Sequence, residues 1–287
     1  IVNVEASEAL KREAPLGRFN GLGTYANRNH LAVAEIAEAW ANSSTVTSFL
    51  SKVFNLPFYK ALGFTLTYTF VVTPLVIMIG FCIALTVNRL PLICKGPTIF
   101  VSLLPMIVTP LIGSLILFWM IDSGGVIGGT LQVIFDDPDL SLKASPALTW
   151  ITLLVYGVWH GAPFAFVVFY AGLQTVPADT LESAMIDGAS RWQRIRHVVI
   201  PHLMPLVLFI TLIQLMDNFR VFEPIVGFNA SASATSLSWL IYNDFRSGDG
   251  TMLFGSAAAT SMLTIIGVSI LLVPVVVRTW RANRGMV

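Results

Sequence analysis

Six stretches of this chain run for 20 residues or more without one Asp, Glu, Lys or Arg. They are Ala61–Asn88, Gly96–Ile121, Ala144–Ala178, His197–Met216, Pro224–Asn243 and Gly250–Val277. An α-helix needs about 20 apolar residues to cross a hydrocarbon core of about 30 Å. Four of the stretches meet that length and are strongly apolar. His197–Met216 is weaker, because its best window is Leu203–Phe222, which takes in Asp217 and Arg220. Pro224–Asn243 reads FNASASATSLS in its middle, too polar for lipid, and is expected to be a loop with a short helix. The expected fold class is an all-α polytopic membrane protein with five transmembrane helices in this chain. Composition excludes the main alternatives. Only 11% of residues are charged, against about 25% in soluble domains. That is too few to cover the surface of a soluble enzyme, a disordered chain or a nucleic-acid binder. A net charge of +1 gives no global field, and Cys82 and Cys94 are too few for a disulfide scaffold.

Charge in the links sets the orientation. Arg89–Lys95, the link from Gln174 to His202 with Arg191, Arg194 and Arg196, and the end with Arg278, Arg281 and Arg284 alternate onto one side. They hold eight of the 17 Lys and Arg residues. The opposite links, Asp122–Leu148 and Gly227–Asp249, hold only Lys143 and Arg246 beside six Asp residues. The basic links are therefore expected in the cytoplasm. Residues 1–60 become an external segment, 61–280 the transmembrane domain and 281–287 a cytoplasmic tail. A chain opening on Ile1 at the outer side, without a signal-peptide pattern, suggests a preceding span and six helices in the full protein. Trp119 and Trp150 fall at outer helix ends, and Trp192 and Trp280 at inner ends, as packing or as interfacial anchors.

One basic link, Pro177 to Pro205, is more than a connection. Asp179 and Glu182 have the spacing of an N-cap and its capping-box partner, which predicts a helix over 180–187. Gly188 can take the left-handed conformation that ends it. Ser190 then caps a second helix over 191–199, with Pro201 closing it before the next span. The expected product is a helix–glycine–helix elbow at the membrane. Leu181, Ala184 and Met185 share one side of its first helix, and Ser183, Ala184 and Ala189 are small enough for another backbone to come close.

These residues resemble the EAA loop of ABC importer permeases. Gly188 follows Glu182 by six residues, and Pro201 follows Gly188 by thirteen. Ser183 stands for the first Ala, and Val198 and Ile200 stand at the usual Ile and Leu positions. ALTVNRLPLICKGPTIFVSLLPMIVTP, GRFNGLGTY (with Thr24 at a usual Asn), NFRVFEPIVGFN, Leu237–Phe245 and GSAAATSMLTIIG resemble other parts of carbohydrate-uptake permeases of the maltose-permease F type. The likeness covers most of residues 17–280. It implies the type I ABC importer permease fold in a bacterial or archaeal inner membrane. The implied partners are a second permease subunit in a heterodimer, two cytoplasmic ATPases that bind ATP and Mg, and an external solute-binding protein. It also implies that the 177–205 elbow enters a groove of the ATPase. The coupling residues would be Glu182, Ser183, Ala184, Asp187, Gly188 and Arg191. Asp187 can equally cap nearby amides. Arg191, Arg194 and Arg196 suit either the ATPase or anionic lipid.

Polar groups inside spans mark a candidate path. Gln214 and Asn218 lie one turn apart and match the paired donors and acceptors of sugar hydroxyls. Asp217, Arg220 and Glu223 are spaced by three, either as part of a path or as a self-neutralising ladder. Tyr156 and Trp159 are candidate stacking platforms for a pyranose, or packing residues. His160 is expected to bond a helix carbonyl across the bundle. Tyr242 is placed near an outer mouth. Pro74, Pro105, Pro110 and Pro163 are expected to kink spans, and Gly124, Gly125, Gly128 and Gly129 to loosen an outer loop. The chain carries no GxxxxGK[ST], HExxH, CxxC or GxSxG pattern. The reading is therefore a non-catalytic subunit with no cofactor or metal of its own. Two alternatives stay open: a permease for a non-sugar solute such as a glycerophosphodiester or polyamine, and a stand-alone secondary transporter. The second leaves the elbow unexplained.

Overall fold

The protein is described by a computed structural model at residues 22–43, 45–137, 139–143, 145–246 and 254–284. Most of GRFNGLGTY, Asp249 and the side chains of Arg281 and Arg284 lie outside the described residues. Every element among the described residues is helical. Three short helices, α1 (Gly23–Ala26), α2 (Val33–Ala41) and α3 (Val46–Phe54), precede the first span. The spans and their connections follow: α4 (Pro57–Arg89), α5 (Leu92–Ile107), α6 (Pro110–Met120), α7 (Val126–Phe135) and α8 (Pro146–Leu173). The elbow comprises α9 (Ala178–Ile186), α10 (Arg191–Arg194) and a π-helical turn, Ile195–Val199. Then come α11 (Ile200–Phe219), α12 (Glu223–Gly227), α13 (Leu237–Arg246) and α14 (Phe254–Arg284).

Four continuous helices are long and apolar enough to cross a membrane: Pro57–Arg89, Pro146–Leu173, Arg191–Phe219 and Phe254–Trp280. The run Gly96–Ile121, expected as one span kinked by proline, is the pair α5–α6, bent by 95°. Counted as one broken span it completes the expected five. The break has a local cause. Val108 and Thr109 both take extended backbone (ψ 127° and 144°) ahead of Pro110. Proline disfavours the helical conformation of its predecessor and brings no N–H of its own. At the other prolines there is no such break, since α4, α5 and α8 run on through Pro74, Pro105 and Pro163. Intramembrane helices tolerate proline where neighbours take up the freed carbonyls. The expected loop Pro224–Asn243 holds α12 and the start of α13, while α7 is an additional helix in the link between α6 and α8.

The core is the pairing of α4 with α8. Phe64, Tyr68, Val72, Val76 and Ala84 of α4 are buried against Leu153, Tyr156, Phe166 and Phe169 of α8. The axes approach closely at Gly80, where a Cβ would stand 2.8 Å from the Phe166 backbone nitrogen. α11 lies against α4 and α14, and α12 against α6. Outward faces stay apolar, with Met78, Phe100, Ile107, Ile265 and Ile270 exposed, as a lipid or subunit contact requires. Trp150 proves to be a packing residue, because its indole N–H donates to the Ser233 carbonyl (2.9 Å). Trp119, Trp192 and Trp280 are exposed, as interfacial residues would be.

Candidate functional site

A polar cavity of about 610 Å³ opens between α4, the α5–α6 break, α8, and the end of α11 with α12. It gathers Gln214, Asp217, Asn218, Arg220, Glu223, Tyr156 and His160. α11 supplies the amides. Asn218 Nδ2 donates to Thr73 Oγ1 (3.0 Å) and to Gln214 Oε1 (3.3 Å). The two amides are thus held to each other and to α4, while Asn218 Oδ1 and Gln214 Nε2 keep free hydrogen-bonding capacity. One acceptor and one donor side by side suit a hydroxyl-rich solute. Thr73 was not singled out from the sequence. It belongs to a buried stripe Thr65, Thr69, Thr73 at helical spacing, a pattern that was available to read.

The charged residues depart from the expected ladder. Arg220 Nη2 meets Asp217 Oδ1 at 3.2 Å, with both side chains more than half exposed. Glu223 does not join them. The ladder needs a continuous helix, but α11 stops at Phe219 and Glu223 opens α12. An exposed pair of this kind contributes little to stability, about 0–1 kcal/mol.

Tyr156 and His160 serve the break. The Tyr156 hydroxyl donates to the Pro110 carbonyl (2.7 Å), and His160 Nε2 lies 3.3 Å from the Val108 carbonyl. A carbonyl only accepts, so Nε2 carries the proton. Two side chains one turn apart on α8 thereby serve carbonyls on either side of the break. The expected bond from His160 to a helix carbonyl is present. Tyr156 is 1% exposed, so it props the wall of the cavity rather than offering a ring face. Trp159 sits beside Tyr156 (5.9 Å between ring centres) but its exposed side chain lines a separate apolar groove with Leu75, Val101 and Ile151. It does not share the polar cavity, because residues 156 and 160 occupy the inward face. Tyr242, expected near an outer mouth, packs on Phe222 (5.1 Å between ring centres).

The elbow is built largely as its sequence implies, with three corrections. Gly188 has φ +77°, its N–H donates to the Met185 carbonyl (3.0 Å), and the Ala189 N–H donates to Ala184 (2.9 Å). That pair of bonds is a Schellman motif, which only glycine adopts without strain. The expected Asp179–Glu182 capping box is not formed. α9 starts at Ala178, after Pro177, so Asp179 lies inside the first turn, where its charge favours the helix dipole. The capping box is instead Ser190 with Gln193. Nor does Pro201 close the second helix. The π-helical turn, with Ile200 N–H donating to the Ile195 carbonyl, absorbs it, and Arg191–Phe219 runs on as one span. Leu181 and Ala184 of α9 face inward, whereas Met185 turns out beside Ile186, which is 87% exposed. Glu182, Ser183, Asp187 and Arg191 are exposed as well.

Residues 48–282 match the sequence pattern of the family described as "Binding-protein-dependent transport system inner membrane component". The chain is 28% identical over 213 residues to the trehalose/maltose transport system permease protein MalF of Thermococcus litoralis, covering 73% of this chain and 70% of that one. It is 30% identical over 218 residues to the multiple sugar-binding transport system permease protein MsmF of Streptococcus mutans, covering 74% and 73%. Its fold is similar to a bacterial ABC transporter involved in the import of the acidic polysaccharide alginate, with a TM-score of 0.69, 20% identity and 97% of both chains covered. A second solved structure, a bacterial alginate ABC transporter in complex with an alginate pentasaccharide-bound periplasmic protein, aligns with a TM-score of 0.65 and 21% identity over 85% of this chain and 86% of that one.

Proposed function

The chain belongs to the family of binding-protein-dependent transport system inner membrane components, and on that premise we propose that it is the permease subunit of an ATP-driven importer of a sugar or sugar derivative. It is a multi-pass inner-membrane protein. One observation carries the reading. The helix that leaves the elbow at Arg191 continues through the π-helical turn to Gln214 and Asn218 in the polar cavity. A force applied at α9 is transmitted by one rigid element to the groups that face the solute. Relatives named for trehalose, maltose and other sugars support the solute class. The hydroxyl-matched amide pair supports it from the chemistry.

In this reading ATP and Mg are bound by partner ATPases, and this chain adds no catalytic group. Glu182, Ser183, Ala184, Asp187, Gly188 and Arg191 form the surface that meets an ATPase. Gln214 and Asn218 face the solute, Asp217 and Arg220 edge the path, and Tyr156 props its wall. A second permease subunit completes the cavity. An external binding protein delivers the solute. The test is co-purification with candidate ATPases followed by reconstituted uptake of a labelled disaccharide. Uptake should require ATP and the ATPase, and should fall at least about tenfold in Gly188→Val. Uptake that persists without any ATPase would overturn the proposal in favour of a stand-alone transporter.

A further inference from the structure

A second, smaller cavity of about 480 Å³ lies at the inner ends of the spans, and none of the solute or ATPase residues explains it apart from Arg191. Its walls divide sharply in character. Leu85, Leu173, Leu181 and Val199 give an apolar floor, while Arg89, Arg191 and Arg194 stand around it. None of the three guanidiniums has an acidic partner within ion-pair distance among the described residues; the two ion pairs found there are Lys143–Asp122 and Arg220–Asp217. Arg194 Nε is shut away from solvent and has no acceptor. A buried donor without a partner is costly and uncommon, and points to a group that completes it. The carboxylates of the elbow do not supply it. Asp179 and Glu182 do not line this cavity, and Asp187 borders the neighbouring hollow that Arg194 also touches, without pairing with it.

We propose that this cavity binds the headgroup of one anionic phospholipid of the inner leaflet, the phosphate on Arg89 and Arg194 and the upper acyl chain on the apolar floor. Three features choose a lipid over a soluble anion or a protein side chain. The cavity sits where α4 and α8 end at Arg89 and Leu173, which is the level of the headgroups for spans of this length. It pairs cationic groups with an apolar floor, as a phospholipid does. And it joins the end of one span, α4, to the elbow, since Arg89 belongs to α4 and Arg194 to α10. A bound headgroup therefore bridges the two and ties the resting position of the lever to the composition of the membrane. The inference rests on the elbow being the lever, but its test does not use transport.

The test is native mass spectrometry of the purified subunit complex, exposed in detergent to dioleoyl-phosphatidylglycerol, dioleoyl-phosphatidylcholine or inorganic phosphate. The unmodified complex should retain one phosphatidylglycerol in preference to phosphatidylcholine. The double variant Arg89→Gln/Arg194→Gln should lose that preference by about 25-fold, taking about fivefold per guanidinium near an anionic headgroup. Arg89→Lys/Arg194→Lys should keep part of it, which separates lost charge from lost folding. Arg196→Gln, on an exposed arginine outside the cavity, should keep all of it. Equal retention of the two lipids, or a preference that survives the double glutamine variant, would overturn the proposal. So would displacement of phosphatidylglycerol by millimolar phosphate, which would make the site one for a free anion. Loss of ATPase subunits from the double variant with lipid preference intact would assign the arginines to the protein interface instead. Arg191, the cation shared with the coupling surface, is left unchanged so that a failure of ATPase docking and a failure of lipid binding are read separately.

Discussion

At the scale of single residues, the site depends on a few groups whose roles differ more than their types suggest. Gly188 holds φ +77° with no side chain or backbone near the place a Cβ would occupy. The strain of a substitution is therefore purely conformational, about 1 kcal/mol for alanine. Gly188→Ala should leave the protein folded and inserted, with uptake reduced several-fold. Unchanged uptake would show that the elbow tolerates a loosened turn. Tyr156, read in the sequence as a stacking platform or packing residue, and His160, read as bonding a helix carbonyl, both serve the α5–α6 break. Tyr156→Phe removes the donor from a carbonyl at a buried position and should cost about 1–2 kcal/mol. The readout is a lower Tm in detergent, with the apparent affinity for solute little changed. Asn218→Ala removes the tie to Thr73 and frees Gln214. It should raise the KM for uptake about tenfold, the worth of a lost hydrogen bond or two, while ATPase co-purification stays normal. Trp159 was the residue least legible in the sequence. An aromatic side chain within an apolar run has no periodic contrast to show which side of the helix it occupies.

At the scale of elements, the join between elbow and span decides how motion is passed on. An α-helix turns 100° per residue. The π-helical turn Ile195–Val199 accommodates one residue more than an α-helical path would. Deleting Val207, in the regular α-helical part of α11 between the π-helical turn and the cavity, should rotate α9 by about 100° relative to Gln214 and Asn218. The expected outcome is a subunit that inserts and still assembles, yet fails in ATP-driven uptake. Full activity in the deletion would mean that the phase between elbow and cavity is unimportant. The sequence could place both ends of this device, because Gly188 and the Ser190 cap rest on local chemistry. It could not place the π-helical turn. Pro201 reads locally as a stop, and only the surrounding packing of α11 makes a continuous helix the better solution. The bent α5–α6 pair follows the same logic: Pro110 permits a break, and Tyr156 and His160, bonding the Pro110 and Val108 carbonyls across 46 and 52 residues, make this proline the one where it happens.

At the scale of the whole molecule, the chain is a pair of tightly packed helices, α4 and α8, around which the cavity, the broken span and the elbow helix are arranged. The orientation inferred from the basic links is open to direct measurement. Ser183→Cys, in a background where Cys82 and Cys94 are replaced by Ala, should react with a membrane-impermeant maleimide only after the membrane is opened. Asp136→Cys should react from outside. The reverse pattern would invert the topology and place the elbow out of reach of a cytoplasmic ATPase. The sequence by itself determined the membrane class, the five crossings and the elbow, and it supplies the expectation of their sense. Each of these rests on a quantity summed along the chain or on a short-range spacing: apolar length, the side on which cations fall, a glycine between two helix caps. Only the tertiary structure decided which polar side chains meet. Gln214 and Asn218 needed Thr73 from a helix some 145 residues away. Arg89 and Arg194 needed the inner end of α4 to meet the elbow, and Glu223 was lost from its ladder when α11 ended early. The physical reason is that burial drives the spans into the membrane whatever their neighbours, whereas a polar group inside it is placed by the partner it must find.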